Sequence, residues 1–215
     1  MEINVPLALS VPDGSGTHVT YRSGRSKLVL ISCDEDAHDI VPSFVRQLPL
    51  KGSTALVLST RNNRSLYTAI RNECERDIEE LTESIAITPG TVYVAVDNTS
   101  PEKLRHPVKV NRSLRELALN YQRRPPYPIS ETITSAAGAY KSDCIAIMLN
   151  VYEFDGIGSL RIVRNFDGQV LVWKGPYFTK SGMTLAPLEC QDKKFPHLMG
   201  TLDELLGYLP SIIHK

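Results

Sequence analysis

The chain opens on strict alternation: Ile3, Val5, Leu7, Leu9 and Val11 are apolar at period two. That is the pattern of a strand with one buried face. Pro6 has no N–H for a ladder, which places the strand at a sheet edge. Pro12-Asp13-Gly14-Ser15-Gly16 is a turn cluster and residues 17–21 form a second short strand, so residues 3–21 read as a β-hairpin. Residues 23–26 are a linker. From Lys27 the pattern changes. Residues 27–31 are a near-continuous apolar run, as in a strand covered on both faces. A helix from about Asp36 to Gln47 follows, then a buried strand at 55–58 and a helix from about Ser65 to Glu80. Thr88-Pro89-Gly90 turns into a strong strand at 91–96. Residues 97–128 are polar, basic and proline-rich, with a short strand at 107–110. The rest reads as helix 129–140, strand 144–149, helix 157–165, strand 169–173 and helix 201–213. Strands alternating with helices predict an α/β fold: a doubly wound, mainly parallel sheet flanked by helices, with an N-terminal β-hairpin. The expected division is 1–26 for hairpin and linker and 27–215 for the α/β domain.

Composition narrows the class. With 215 residues and 42% apolar side chains, the chain has room for a real core and is no disordered tail. No apolar run approaches the ~18–20 residues of a membrane span, and residues 1–6 have no basic n-region. A cytoplasmic protein is therefore expected. The cysteines at 33, 74, 144 and 190 show no C-x-x-C spacing, and the five histidines do not cluster with them. Reduced thiols, no metal and no cofactor are the expectation.

Lys plus Arg equals Asp plus Glu at 24 each, so the formal net charge is zero, which argues against bulk nucleic-acid binding. The zero is made of opposed stretches. Residues 103–124 carry seven basic side chains against Glu116, a net of +6, and residues 73–83 carry six acids against Arg76, a net of −5. A solvated face is the ordinary explanation of a charge run. The alternative is a docking surface for an acidic partner, built from Arg112, Arg115, Tyr121, Arg123 and Arg124, since Arg and Tyr anchor interfaces.

In a doubly wound sheet, ligands and chemistry sit at the carboxyl ends of the strands. That directs attention to Ser32–Asp36, Ser59–Asn63 and Asn150–Gly156. These three segments resemble, in order and spacing, the active-site segments of the CheB family, the protein-glutamate methylesterases that reset bacterial chemoreceptors. Gln47-Leu-Pro-Leu50, Ile87-Thr-Pro-Gly-Thr-Val-Tyr-Val-Ala95, Asp155-Gly156 and Ser181-Gly182-Met183 carry the rest of the resemblance, which spans residue 27 to the C-terminus. It implies a doubly wound sheet of serine-hydrolase ancestry, and a chemoreceptor cytoplasmic domain or a chemosensory adaptor as partner.

The departures from the family pattern are specific. The family places Gly-x-Ser-Thr-Gly-Gly after the first strand; here the segment is Ile31-Ser-Cys-Asp-Glu-Asp36. Cys33 takes the nucleophile position, flanked by Ser32 and Asp34. The family histidine falls on Arg61 and the methionine near the acid on Tyr152, leaving Asp155 as the one retained triad position. Pro126-Tyr-Pro-Ile-Ser130 stands where the family has Arg-Pro-Ser-Val-Asp.

A guanidinium stays protonated and offers no lone pair, so Arg61 cannot serve as general base. Asp34, Glu35 and Asp36 disfavour a thiolate at Cys33 and an oxyanion beside it. Such acids ordinarily cap a helix N-terminus. His38 is a conceivable substitute base, but its spacing from Cys33 predicts a surface histidine that points elsewhere.

The leading expectation is a degenerate CheB-like domain that acts by protein binding, with no receiver domain in this chain. The alternative is an active methylesterase or amidase using Cys33 or Ser32 with a rearranged base. A nucleotide-binding α/β domain ranks last, because both glycine-rich phosphate-loop motifs are absent. The hairpin at 3–21 is a candidate homodimer contact by edge pairing.

Overall fold

Leu28–Cys33 forms β1 with every side chain buried. Its period of two sends Leu28 and Leu30 into one apolar layer and Val29, Ile31 and Cys33 into the other. A strand buried on both faces belongs at the centre of a parallel sheet, and β1 lies there. The computed structural model describes residues 26–34, 37–59, 63–96, 107–121, 127–149, 156–175 and 196–214. The N-terminal hairpin, and any dimer contact through it, lie outside these residues.

The elements follow in the order α1 (Val41–Gln47), β2 (Thr54–Ser59), α2 (Asn63–Glu73), β3 (Ile78–Leu81), β4 (Ile85–Ala86) and β5 (Val92–Ala95). Next come β6 (Val108–Asn111), β7 (Glu116–Leu119), α3 (Pro128–Tyr140), β8 (Cys144–Leu149), α4 (Ile157–Asn165), β9 (Gln169–Trp173), β10 (Leu198–Gly200) and α5 (Leu202–Ile213). Seven strands form one parallel sheet in the order β10-β9-β8-β1-β2-β5-β3. The chain winds outward from β1 through β2 and then returns to the other side of β1 at β8. The winding therefore reverses between β1 and β8, the place where doubly wound sheets bind ligands at the carboxyl ends of their strands. Phe44, Leu66 and Leu205 place α1, α2 and α5 on one face of the sheet. Ile133 and Leu160 place α3 and α4 on the other.

The doubly wound parallel sheet agrees with expectation; several boundaries do not. The first helix starts at Val41, with Pro42 in its opening turn. Residues 37–40 form turns instead. The second helix ends at Glu73, where a helix to Glu80 was expected. Ile78–Leu81 is drawn out into a strand because it pairs with β5 along its whole length, and that pairing overrides the helix preference of its glutamates. The short strand expected at 107–110 is β6, and it belongs to a separate antiparallel sheet in the order β4-β7-β6. This small sheet packs Val108, Val110, Leu117 and Leu119 into the layer of α3 and α4. The strand at 198–200 was not expected. It pairs with β9 and leads into α5, whose start is fixed by a capping box between Thr201 and Glu204.

Candidate functional site

The registers of β1, β2 and β8 bring Cys33 level with Ser59 on one side and with Leu149 on the other. The carboxyl ends of three strands thus share one edge, where the sequence placed its candidate chemistry. Cys33 is fully buried, facing the α1, α2 and α5 layer beside Ile31 and Ala37. Its Sγ lies 3.5 Å from the Leu58 carbonyl. Burial pushes the thiol up to about 12; the hydrogen bond with Ser59 opposes this and the nearby Asp34 charge adds to it. A thiol in that state is protonated at neutral pH and is a poor nucleophile.

Ser32 points to the opposite layer, where its hydroxyl donates to the Ile147 carbonyl at 3.4 Å. One residue's shift along β1 therefore turns the side chain through the sheet. Asp34 is buried just beyond the strand, and its carbonyl accepts the Ala37 N–H at 2.9 Å. Arg61, Tyr152 and Asp155 lie outside the described residues. The acid's neighbour is defined: Gly156 caps α4 with φ +99° and donates its N–H to Ser130 Oγ at 2.6 Å.

His38 departs from expectation. It is half-buried, and its Nε2 lies 2.7 Å from Ser59 Oγ. The turn at 37–40, made because the helix starts late, carries the imidazole back over the end of β2. Ser59 is buried and touches both the Cys33 thiol and this imidazole. Sequence reasoning passed over Ser59. Its one signal is a hydroxyl at the carboxyl end of an apolar strand, in the second of the three candidate segments.

The chain can now be placed. A family model described as CheB methylesterase matches residues 31–194. The chain belongs to the CheB methylesterase family. Among solved structures it is similar to the Thermotoga maritima CheB methylesterase catalytic domain, at 17% sequence identity and a TM-score of 0.67, covering 88% of this chain and 98% of that one. At that identity the likeness shows the fold. No curated protein sequence matches the chain. Within this CheB-type domain, no helix of the described residues is long and apolar enough to cross a membrane.

The basic side of the domain is partly internal. Arg112 donates to Asp143 Oδ2 at 2.8 Å and stacks 4.9 Å from the centre of the Tyr140 ring. Arg115 and Leu114 sit in the β6–β7 turn, with Leu114 68% exposed and Arg115 at φ +48°. Tyr121 is half-exposed and its hydroxyl donates to the Thr82 carbonyl. Arg123 and Arg124 lie outside the described residues.

Proposed function

We propose that this chain is a degenerate CheB-like domain that serves a chemosensory signalling complex by binding an acidic protein partner, without catalysis by the inherited triad. The supporting observation is the burial of Cys33. A nucleophile must meet its substrate, and this thiol faces the core with its proton held to about pH 12. Ser32 is no better placed, because its hydroxyl is on the other side of β1. Arg61 brings no lone pair to replace the missing base. What the domain offers a partner is the basic stretch that ends in Arg123 and Arg124, together with Arg115 and the exposed Leu114 in the β6–β7 turn. The partner fitting the family is a chemoreceptor cytoplasmic domain or an adaptor that meets it.

Titration calorimetry of the full chain against a purified receptor cytoplasmic fragment tests this reading. Binding is expected, unchanged by Cys33→Ala and weakened at least tenfold by combining Arg123→Glu with Arg124→Glu. The charge-reversed form should also show a shallower salt dependence. Absence of binding to receptor or adaptor overturns the reading. So does methanol release from methylated receptor that disappears with Cys33→Ala.

A further inference from the structure

β3 is the last strand of the seven-stranded sheet, with β5 on one side of it. Val92 donates its N–H to the Asp77 carbonyl and Val96 donates to that of Leu81, so the backbone groups of the odd-numbered residues face β5. In a parallel pair the residues between them turn their N–H and C=O the other way. Those of Ile78 and Glu80 therefore point off the sheet, and no hydrogen bond from a described residue meets them. Such an edge is ordinarily blunted by proline, a bulge or a covering element. β3 contains no proline, and its register with β5 runs unbroken from Ile78 to Leu81. Its guard is charge. Asp77 and Glu83 are exposed and Glu79 is half-buried. Glu80 is held by Arg64, while Arg76, the one cation within 73–83, is turned to the Arg46 and Leu48 carbonyls at the end of α1. Among the described residues, no cation pairs with Asp77, Glu79 or Glu83. A second copy of the same strand would set glutamates against glutamates, which is unfavourable. A strand carrying lysine or arginine meets the same glutamates favourably.

We infer that the outer edge of β3 receives an extended basic segment of a partner protein as an added strand. The backbone of that segment bonds to the N–H and C=O groups of Ile78 and Glu80, which supplies affinity for any strand. Its Lys or Arg side chains lie beside Glu79 and Glu80, which supplies the choice among strands. This edge is not the basic stretch of the proposed function, and it takes a partner segment of the opposite charge. Either surface can fail without the other.

The test is nuclear magnetic resonance of the isotope-labelled full chain titrated with the peptide acetyl-Thr-Val-Lys-Lys-Val-Thr-amide. The amide signals of Ile78 and Glu80 should shift, and their hydrogen exchange should slow at least tenfold at saturation. The same peptide with Glu in place of both Lys should bind at least tenfold more weakly, and added salt should weaken the basic one. N-methylation of alternate peptide nitrogens removes the N–H groups from one edge of the strand. It should abolish binding in one phase and spare it in the other. Glu79→Lys should weaken the basic peptide at least tenfold; if that variant fails to fold, the two methylated peptides carry the test on the unaltered chain. Ile78 and Glu80 amides already protected in the dilute free chain would mean that the chain covers its own edge. Protection that grows with protein concentration would mean that a second copy does. Either result overturns the inference, as does binding that neither methylation phase disturbs, and as does absence of binding.

Discussion

Arg112 sits over the ring of Tyr140 while its guanidinium grips Asp143, so one side chain ties the β6–β7 hairpin to the end of α3. A second guanidinium N–H reaches the Tyr140 carbonyl at 3.4 Å. Arg112 therefore acts first within the domain. The Asp143 side chain is nearly buried and that of Arg112 about a third exposed, which reduces screening without removing it. Arg112→Ala should cost about 1–2 kcal/mol in urea unfolding. Arg112→Lys should recover only part of that, because an ammonium cannot stack and fork at once. Equal stability of wild type and Arg112→Ala would refute the assignment.

Two buried thiols make the fold sensitive to alkali. Burial pushes both Cys33 and Cys144 from an ordinary 9.0 to about 12. The folded chain holds these protons more tightly than the unfolded one. Their contribution is complete below pH 9 and is lost as pH rises towards 12. Stability should fall between pH 9 and 10.5, and the decline should flatten in the Cys33→Ala/Cys144→Ala double variant. At pH 8, iodoacetamide should reach the half-buried Cys74 well before either of these two.

His197 predicts the opposite slope on the acid side. Its Nδ1 accepts the Val170 N–H at 3.0 Å, and burial, then the Arg164 charge, lower its pKa from 6.5. The folded state favours the neutral ring. That contribution is present above 6.5 and is lost as pH falls through the lowered folded value. Thermal stability should drop between pH 7 and 5. His197→Asn, whose side-chain oxygen can accept the same N–H, should be less sensitive across that window.

Gly156 fixes the turn that leads into α4. Its φ of +99° disfavours any side chain, and an added Cβ would meet Ile129 Cγ2 at 3.2 Å and Ile133 Cδ1 at 3.3 Å. Gly156→Ala should destabilise by about 1–3 kcal/mol. Chemical denaturation measures it, and a change under half a kcal/mol would refute the argument.

The apolar runs of β1, β2, β5, β8 and β9 were legible because short apolar runs bounded by turn residues mark strands covered on both faces. The helices at α3, α4 and α5 were legible through their period and flanking turns. Failures fell where tertiary pairing decides. Ile78–Leu81 has a helix-favouring composition and becomes a strand only because β5 offers a partner. The small sheet of β4, β6 and β7 is assembled from short segments that carry too few residues to show a period. At the site, the sequence located the three strand ends but not the orientation of their side chains. That Cys33 faces the core follows from the phase of β1, fixed by which layer Val29 and Ile31 enter. The approach of His38 to Ser59 depends on a turn where a helix was expected.

The hydroxyls of Thr132 and Ser135 on α3 accept the outward N–H groups of Val108 and Val110, at 2.8 and 2.9 Å. These are the amides that β6, as the outer strand of the small sheet, would otherwise present to an incoming chain. The helix has taken that edge. A partner drawn to this basic corner cannot add itself as another strand along β6, and meets side chains there instead. Selectivity on this side of the domain then belongs to the identities of residues such as Arg115 and Leu114, which can change without rebuilding the sheet beneath them.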